Sequence, residues 1–148
     1  MNAIDLLKED HTLVRDLLEQ LTATSSRAKK SRADLLVKIA REIRVHAQIE
    51  EDIFYPAFRK VAKDDAMFFE ALEEHRAVER LVLPDLEKTP VDSERFSGRA
   101  KVLKDLIEHH ADEEEEEMFP KAKKLMARED LEMLGKRMLA LKSELKAA

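Results

Sequence analysis

The chain has 148 residues, which is enough for one domain with a substantial hydrophobic core. Two glycines, four prolines and 40% charged residues leave little material for tight β-turns, so the composition argues against a strand-rich protein and predicts an all-α fold. The net charge is -5 and the acids are spread along the chain, so we do not expect nucleic acid as a partner.

The chain also lacks the features of a membrane or exported protein. No apolar run approaches the ~20 residues of a membrane span, and residues 1–10 carry acids without the apolar stretch of an export signal. We therefore expect no membrane partner and a cytoplasmic location. Since there is no cysteine, any metal must be held by nitrogen and oxygen ligands.

The first half of the chain predicts two helices, because apolar residues recur every three or four positions. The first helix begins after Asn2, a suitable N-cap, and ends near Leu21. Residues 22–32, rich in Ser, Thr, Lys and Arg, form the connection. The second helix then continues through Ala57 to a break at residues 63–65.

The second half predicts two more helices and a helical tail. The third helix carries apolar residues as far as Leu86, and residues 89–93 supply a turn and the start of the fourth. The fourth helix continues through Met118. We expect a bundle of about residues 2–127, with a short extra C-terminal helix at about residues 128–146 packed across it.

A pattern that occurs twice, 64 residues apart, is the strongest sign of function. Each copy has a histidine, a second histidine 35 positions later, a glutamate four positions after that, a further acid, an aromatic residue and a proline. The first copy is His11, His46, Glu50, Glu51, Tyr55 and Pro56, and the second is His75, His110, Glu114, Glu115, Phe119 and Pro120. Such a pattern is typical of metal ligands repeated by internal duplication.

The four histidines fall on the apolar faces of their predicted helices, so all of them should point inward. His46 and Glu50 are four residues apart and share a helix face, and the same holds in the second copy. His11 and His46 each lie ~20 Å from the first connection, so an antiparallel hairpin brings them level. The helix pairs that include His75 are offset by ~8 Å, which tilted helices would absorb.

Other interpretations of these residues exist. A single histidine on an apolar face is more often a hydrogen-bonded core residue, but four histidines in matched pairs with glutamates favour metal binding, because buried carboxylates need a counter-charge. His109 with Glu113 offers a competing register of the same spacing, on a less apolar face that includes Asp105. Tyr55, the only tyrosine, is interpreted as a packing residue, with proton donation as the alternative.

The order His, His-x-x-x-Glu, His, His-x-x-x-Glu, with an acid and an aromatic-Pro pair after each glutamate, resembles hemerythrin-like proteins that carry two HHE cation-binding motifs. The resemblance extends to about Ala127. It implies an antiparallel up-down four-helix bundle that holds two non-heme iron ions bridged by carboxylates. Manganese and zinc suit the same donors and are the alternatives. The ligands implied by the resemblance are His11, His46, Glu50, His75, His110 and Glu114, with Glu50 and Glu114 as bridges.

Glu79 departs from the family pattern. Oxygen-carrying hemerythrins have a histidine four residues after the first histidine of the third helix, and Glu79 occupies that position here. Glu79 is a candidate metal ligand, with a surface acid near Arg76 or Arg80 as the alternative. A carboxylate ligand there favours the oxidised metal and weakens reversible oxygen binding. For Arg15, which stands 64 residues before Glu79, we expect a surface role.

Three functional hypotheses follow. The leading one is a non-heme di-iron protein that binds or senses a small ligand such as dioxygen, peroxide, nitric oxide or iron itself. The second is a di-iron peroxidase or catalase-like enzyme, which needs an open metal position and a proton donor. The third is a helical interaction module with a structural metal, in which the tail helix contacts a partner.

Overall fold

The computed structural model describes residues 1–148 and contains helices and turns but no strand, which confirms the all-α prediction. We number five helices in chain order. They are α1 (Ala3–Thr22), α2 (residues 29–62), α3 (residues 65–87), α4 (residues 94–125) and α5 (Arg128–Ala147). The first four form the bundle. No helix has both the length and the apolar character that a membrane span requires.

Local chemistry explains most of the helix ends. The side chains of Asn2, Asp64 and Ser93 cap α1, α3 and α4, each accepting a hydrogen bond from a backbone N–H three residues ahead. Lys63 ends α2 in a left-handed conformation. The start of α2 differs from the prediction: it begins at residue 29, inside the predicted connection, because lysine and arginine are good helix formers.

Three of the long helices contain a π-helical turn directly before a proline. These turns are Glu50–Phe54, Ala77–Val82 and Glu114–Met118, and they precede Pro56, Pro84 and Pro120. Proline has no N–H to donate to the carbonyl four residues back, and the backbone responds by a local change of register. The predicted kinks near Pro56 and Pro120 thus take the form of π-helical turns that begin at the two motif glutamates.

The hydrophobic core consists of two clusters. The aromatic core contains Phe54, Tyr55, Phe58, Phe68 and Phe119, and it is completed by Leu131, Leu134 and Met138 of α5. The aliphatic core includes Val14, Leu18, Ile39, Ile43, Val78 and Leu103. Since α5 packs on α1 and α2, it covers only one side of the bundle.

Candidate metal centre

Six of the predicted ligands come together inside the bundle. His11, His46, Glu50 and Glu114 offer four donor atoms within 4.8 Å of one another, and Glu50, His75 and His110 offer three more within the same distance. Five of these residues are buried, and the side chain of His46 is 12% exposed. Because Glu50 belongs to both groups, the structure contains two adjacent sets of cation ligands that share a carboxylate.

Glu50 lies between histidines of both hairpins. Its Oε1 atom is 3.2 Å from Nε2 of His46, 3.0 Å from Nε2 of His75 and 3.9 Å from Nε2 of His110. The predicted offset between α2 and α3 disappears at this residue, because Glu50 is 12 residues from the end of α2 and His75 is 10 residues from the start of α3. A carboxylate in this position can contact two metal ions.

Glu114 occupies the corresponding position on α4. Its Oε1 atom is 3.0 Å from Nε2 of His11 and 3.6 Å from Nε2 of His110, so it also spans the two hairpins. Its other oxygen, Oε2, accepts a hydrogen bond of 2.6 Å from the hydroxyl of Tyr55. The two glutamates therefore have the arrangement expected of bridging carboxylates.

A carboxylate outside the centre accepts a hydrogen bond from Nδ1 of every one of the four histidines. The pairs are His11 with Glu115 (2.7 Å), His46 with Asp10 (2.9 Å), His75 with Glu51 (2.8 Å) and His110 with Glu74 (2.6 Å). Such a bond holds the ring in place and leaves Nε2 as the metal-binding nitrogen. Sequence reasoning did not assign these roles, although Asp10 and Glu74 are also 64 residues apart and so obey the repeat.

Tyr55 corrects the prediction that it only packs. Its ring does belong to the aromatic core, but its hydroxyl reaches the centre. The oxygen is 3.1 Å from Glu50 Oε1, 3.1 Å from His75 Nε2 and 3.2 Å from His110 Nε2, besides the bond to Glu114. With one proton, the hydroxyl can donate to only one of these atoms.

The electrostatics of the centre are those of a cation site. Burial and the charges of Glu114 and Glu50 raise the pKa of Tyr55 well above its ordinary value. Burial lowers the histidine pKa values, but the neighbouring carboxylates outweigh it and raise the pKa of His46 to about 10 and that of His75 to about 9. Without a metal, protons on the histidines supply the positive charge that the buried carboxylates require.

Two observations test whether a metal fits these residues. Nε2 of His46 and Oε2 of Glu50 are buried and have no hydrogen-bond partner, which is costly for polar atoms. In addition, Nε2 of His75 lies 3.2 Å from Nε2 of His110 while the Nδ1 atom of each ring contacts a carboxylate. Two inward lone pairs at this distance repel each other unless a cation or proton lies between them. The donor set therefore fits bound cations.

Residues around the centre complete the predicted set. Glu79 is half-buried and forms a separate triad with Glu51 and His75, beside the shared ligand groups. Arg15 differs from its predicted surface role, because it pairs with Glu115 at 3.0 Å. His109 is 63% exposed and contacts Glu113 at 3.0 Å, so the competing register faces outward.

A small cavity lies against the centre on the side of the aliphatic core. It has a volume of about 40 Å³ and is lined by all four motif histidines together with Val14, Ile43, Val78 and Ile107. Glu79 also contributes to its wall. A space of this size accommodates a molecule of about two heavy atoms, since a single water needs ~10–15 Å³ on the same measure.

The fold and the buried ligand groups together define a helical-bundle cation-binding protein. The profile of the Hemerythrin HHE cation binding domain matches residues 2–122. The chain therefore belongs to the hemerythrin HHE cation-binding family, as the repeated motif predicted.

Individual relatives agree with this assignment. An uncharacterized protein of Mycobacterium tuberculosis is 30% identical over 149 residues, which cover 100% of this chain and 89% of that protein. A crystal structure of a hemerythrin HHE cation binding domain-containing protein from Mycobacterium kansasii superimposes with a TM-score of 0.85 at 30% identity, covering 99% of this chain and 88% of that one. A DNA nickase of Nostoc is 25% identical over 98% of this chain, but only 40% of the nickase is covered.

Proposed function

We propose that this protein is a non-heme di-iron protein that binds or senses dioxygen, peroxide or nitric oxide; sensing of iron itself is the alternative within the same hypothesis. The observation that carries the proposal is the 40 Å³ cavity, whose wall contains all four motif histidines. Its apolar side chains favour a small uncharged molecule over a hydrated ion. A ligand in this space would lie directly beside the metal pair.

Two ions are favoured over one because Glu50 belongs to both ligand groups. Imidazole and carboxylate donors without thiolate suit iron, with manganese and zinc as the alternatives. When bound, the iron pair would supply redox electrons and an open coordination position. The proposed ligands are His11, His46, Glu50, His75, Glu79, His110 and Glu114.

The chain itself has three tasks in this proposal. The four outer carboxylates orient the histidine rings and keep Nε2 directed inward. Tyr55 donates its proton to Glu114 and fixes that carboxylate between the two hairpins. Val14, Ile43 and Val78 limit the water that reaches the small-ligand cavity.

Glu79 argues against dedicated oxygen transport. It lies beside His75 in the wall of the cavity, where it would be an additional donor to the ion held by His75 and His110. A carboxylate in place of an imidazole adds negative charge and stabilises the oxidised ion. We therefore favour sensing, or irreversible reaction with the small ligand, over reversible storage.

A di-iron peroxidase or catalase-like enzyme is the second candidate. The observation that favours it is the Tyr55 hydroxyl, which contacts both bridging glutamates and could supply a proton to a reacting ligand. Steady consumption of peroxide, abolished by Tyr55→Phe with iron content unchanged, would support this candidate. A purely structural metal has less support, because Leu131, Leu134 and Met138 of α5 pack within the chain and are not left for a partner.

Metal analysis and ligand binding test the proposal together. Protein purified without added metal should contain about two irons per chain, with an absorption band that bleaches on reduction with dithionite. Nitric oxide should then bind to the reduced protein. Val78→Leu adds a methylene at the cavity wall and should slow this binding several-fold with unchanged iron content, whereas the matched change at the exposed Val102 should have no effect. A single zinc, or a folded protein that refuses iron, would contradict the proposal.

A further inference from the structure

The outer carboxylate on His46 has a second partner that comes from α5. Lys142 Nζ lies 2.5 Å from Oδ1 of Asp10, while Oδ2 of Asp10 accepts the hydrogen bond from His46. The Asp10 side chain is only 4% exposed, so solvent screens this contact weakly. A lysine from the C-terminal helix is thus linked to a metal-ligand histidine through one buried carboxylate.

The outer carboxylate on His11 is paired in the same way. Arg15 Nη1 lies 3.0 Å from Oε2 of Glu115, which is the oxygen that also accepts the hydrogen bond from His11. Both histidines of the α1–α2 hairpin are therefore supported by carboxylates whose charge is offset by a basic side chain.

The α3–α4 hairpin has no such compensation. Neither Glu51 nor Glu74 is ion-paired to a lysine or arginine, and their basic partners are the motif histidines themselves and His109. Arg44 and Arg76, which are close to this side of the bundle, pair with other glutamates. The surroundings of the two metal positions therefore differ by about two positive charges, both on the α1–α2 side.

This difference acts on the electrons of the metals. A carboxylate that accepts from Nδ1 makes the imidazole a stronger donor to the metal, and a cation on that carboxylate opposes the effect. Reduction converts one ferric ion to a ferrous ion by uptake of one electron, which lowers the positive charge at that position. The lower charge is better tolerated where the surroundings already contribute cations.

We propose that Lys142, acting through Asp10, makes the ion held by His11 and His46 the more easily reduced member of the pair. This inference rests on the proposed di-iron function. Lys142 is a positioning and charge-tuning residue: it does not contact the metal positions. It lies in Arg128–Ala147, outside the residues 2–122 that match the family profile, so it assigns to α5 a role in the chemistry of the centre.

The test is a stepwise reduction of the iron-loaded full chain with dithionite, followed by the electron paramagnetic resonance signal of the half-reduced pair. The unmodified protein should accumulate the half-reduced state, because its two potentials differ. Lys142→Met should shift the first midpoint potential to a more negative value and lower the maximum half-reduced fraction. Lys142→Arg should restore both, and Lys136→Met, an exposed and unpaired lysine on the same helix, should change neither.

The outcomes separate this inference from the proposal beneath it. If the protein holds no iron pair, the di-iron function fails. If it holds two irons and Lys142→Met titrates like Lys136→Met, the inference is wrong while the di-iron function stands. Should Lys142→Met release α5, seen as a lower unfolding temperature than that of Lys142→Arg, then Arg15→Met gives the second reading, since it removes the other charge without altering α5 and should also make the first potential more negative.

Discussion

The α1–α2 and α3–α4 hairpins present the same inward side chains but lie in different surroundings. Each hairpin contributes two histidines with Nε2 directed inward, one glutamate that reaches the other hairpin, and two outer carboxylates. The outside of the α1–α2 hairpin is covered by α5. The comparison shows that the repeated residues determine where cations bind, while the residues that are not repeated make the two positions unequal.

The other hairpin opens onto an acidic cavity. This cavity has a volume of about 230 Å³, and His110 and Glu114 of the centre contribute to its wall. Its remaining polar lining is acidic: Asp64, Glu70, Glu74, Glu113 and Glu117. The α3–α4 position is thus the more negative of the two and the one that lies closer to solvent.

The largest expected effect follows from removing the carboxylate that both hairpins share. Glu50→Ala should abolish binding of both ions, because Glu50 is a donor in both ligand groups. The loss should exceed the ~10–100-fold weakening that removal of an outer partner causes. Elemental analysis and cobalt titration of the metal-free protein would measure it. Glu116→Ala, an exposed acid in the same run as Glu114, serves as the control. Two ions in Glu50→Ala would show that the hairpins bind separately.

The second effect concerns Arg32, which joins the two hairpins at the end of the bundle remote from the centre. Its buried guanidinium donates to the Thr24 carbonyl in the first connection, and to the Val91 carbonyl and the Ser97 hydroxyl near the start of α4. Arg32→Met leaves these acceptors unsatisfied and should lower the free energy of unfolding by ~3 kcal/mol. Urea denaturation would measure the loss.

Metal content separates the role of Arg32 from that of the centre. Arg32→Met should keep both ions, because the guanidinium contacts none of the motif residues. Lys38→Met, an exposed and unpaired cation on the same helix, should change the free energy of unfolding by less than ~0.5 kcal/mol. Equal losses for the two variants would mean that Arg32 does not hold the hairpins together.

Much of this arrangement could be predicted from the sequence, because helical spacing and the 64-residue repeat both act through local geometry. They placed the helices, and they indicated that His46 and Glu50 share a face. The role of Lys142 could not be predicted, because it acts on Asp10 across 132 residues of sequence and depends on how α5 docks. The hydroxyl of Tyr55 was missed for a similar reason: the ring does pack, and only the geometry of the bundle shows where its oxygen lies.

The third effect tests how α5 docks, and the two glycines of the chain form a matched pair. A Cβ atom on Gly135 would lie 2.4 Å from the backbone oxygen of Met1, whereas one on Gly98 would meet nothing within 4 Å. Gly135→Ala should therefore displace α5 and cost ~1–3 kcal/mol. Gly98→Ala, in the interior of α4, should stabilise the protein by ~0.5–1 kcal/mol. Thermal unfolding distinguishes opposite signs, and stabilisation by both would mean that α5 does not need this close approach.

The smallest effect is expected at Glu79, where the two halves of the repeat differ most in charge. Arg15 stands at the equivalent position of α1 and supports an outer carboxylate, while Glu79 stands beside Glu51 and His75. Glu79→Gln keeps the shape and removes the negative charge, so both ions should remain bound. The affinity of the more weakly bound ion should fall by ~10-fold, and the last midpoint potential in the dithionite titration should become more positive because less negative charge opposes reduction of the ion beside His75. If affinity and potential are both unchanged, Glu79 is a surface acid, and the inequality of the two positions depends on Lys142 and Arg15 alone.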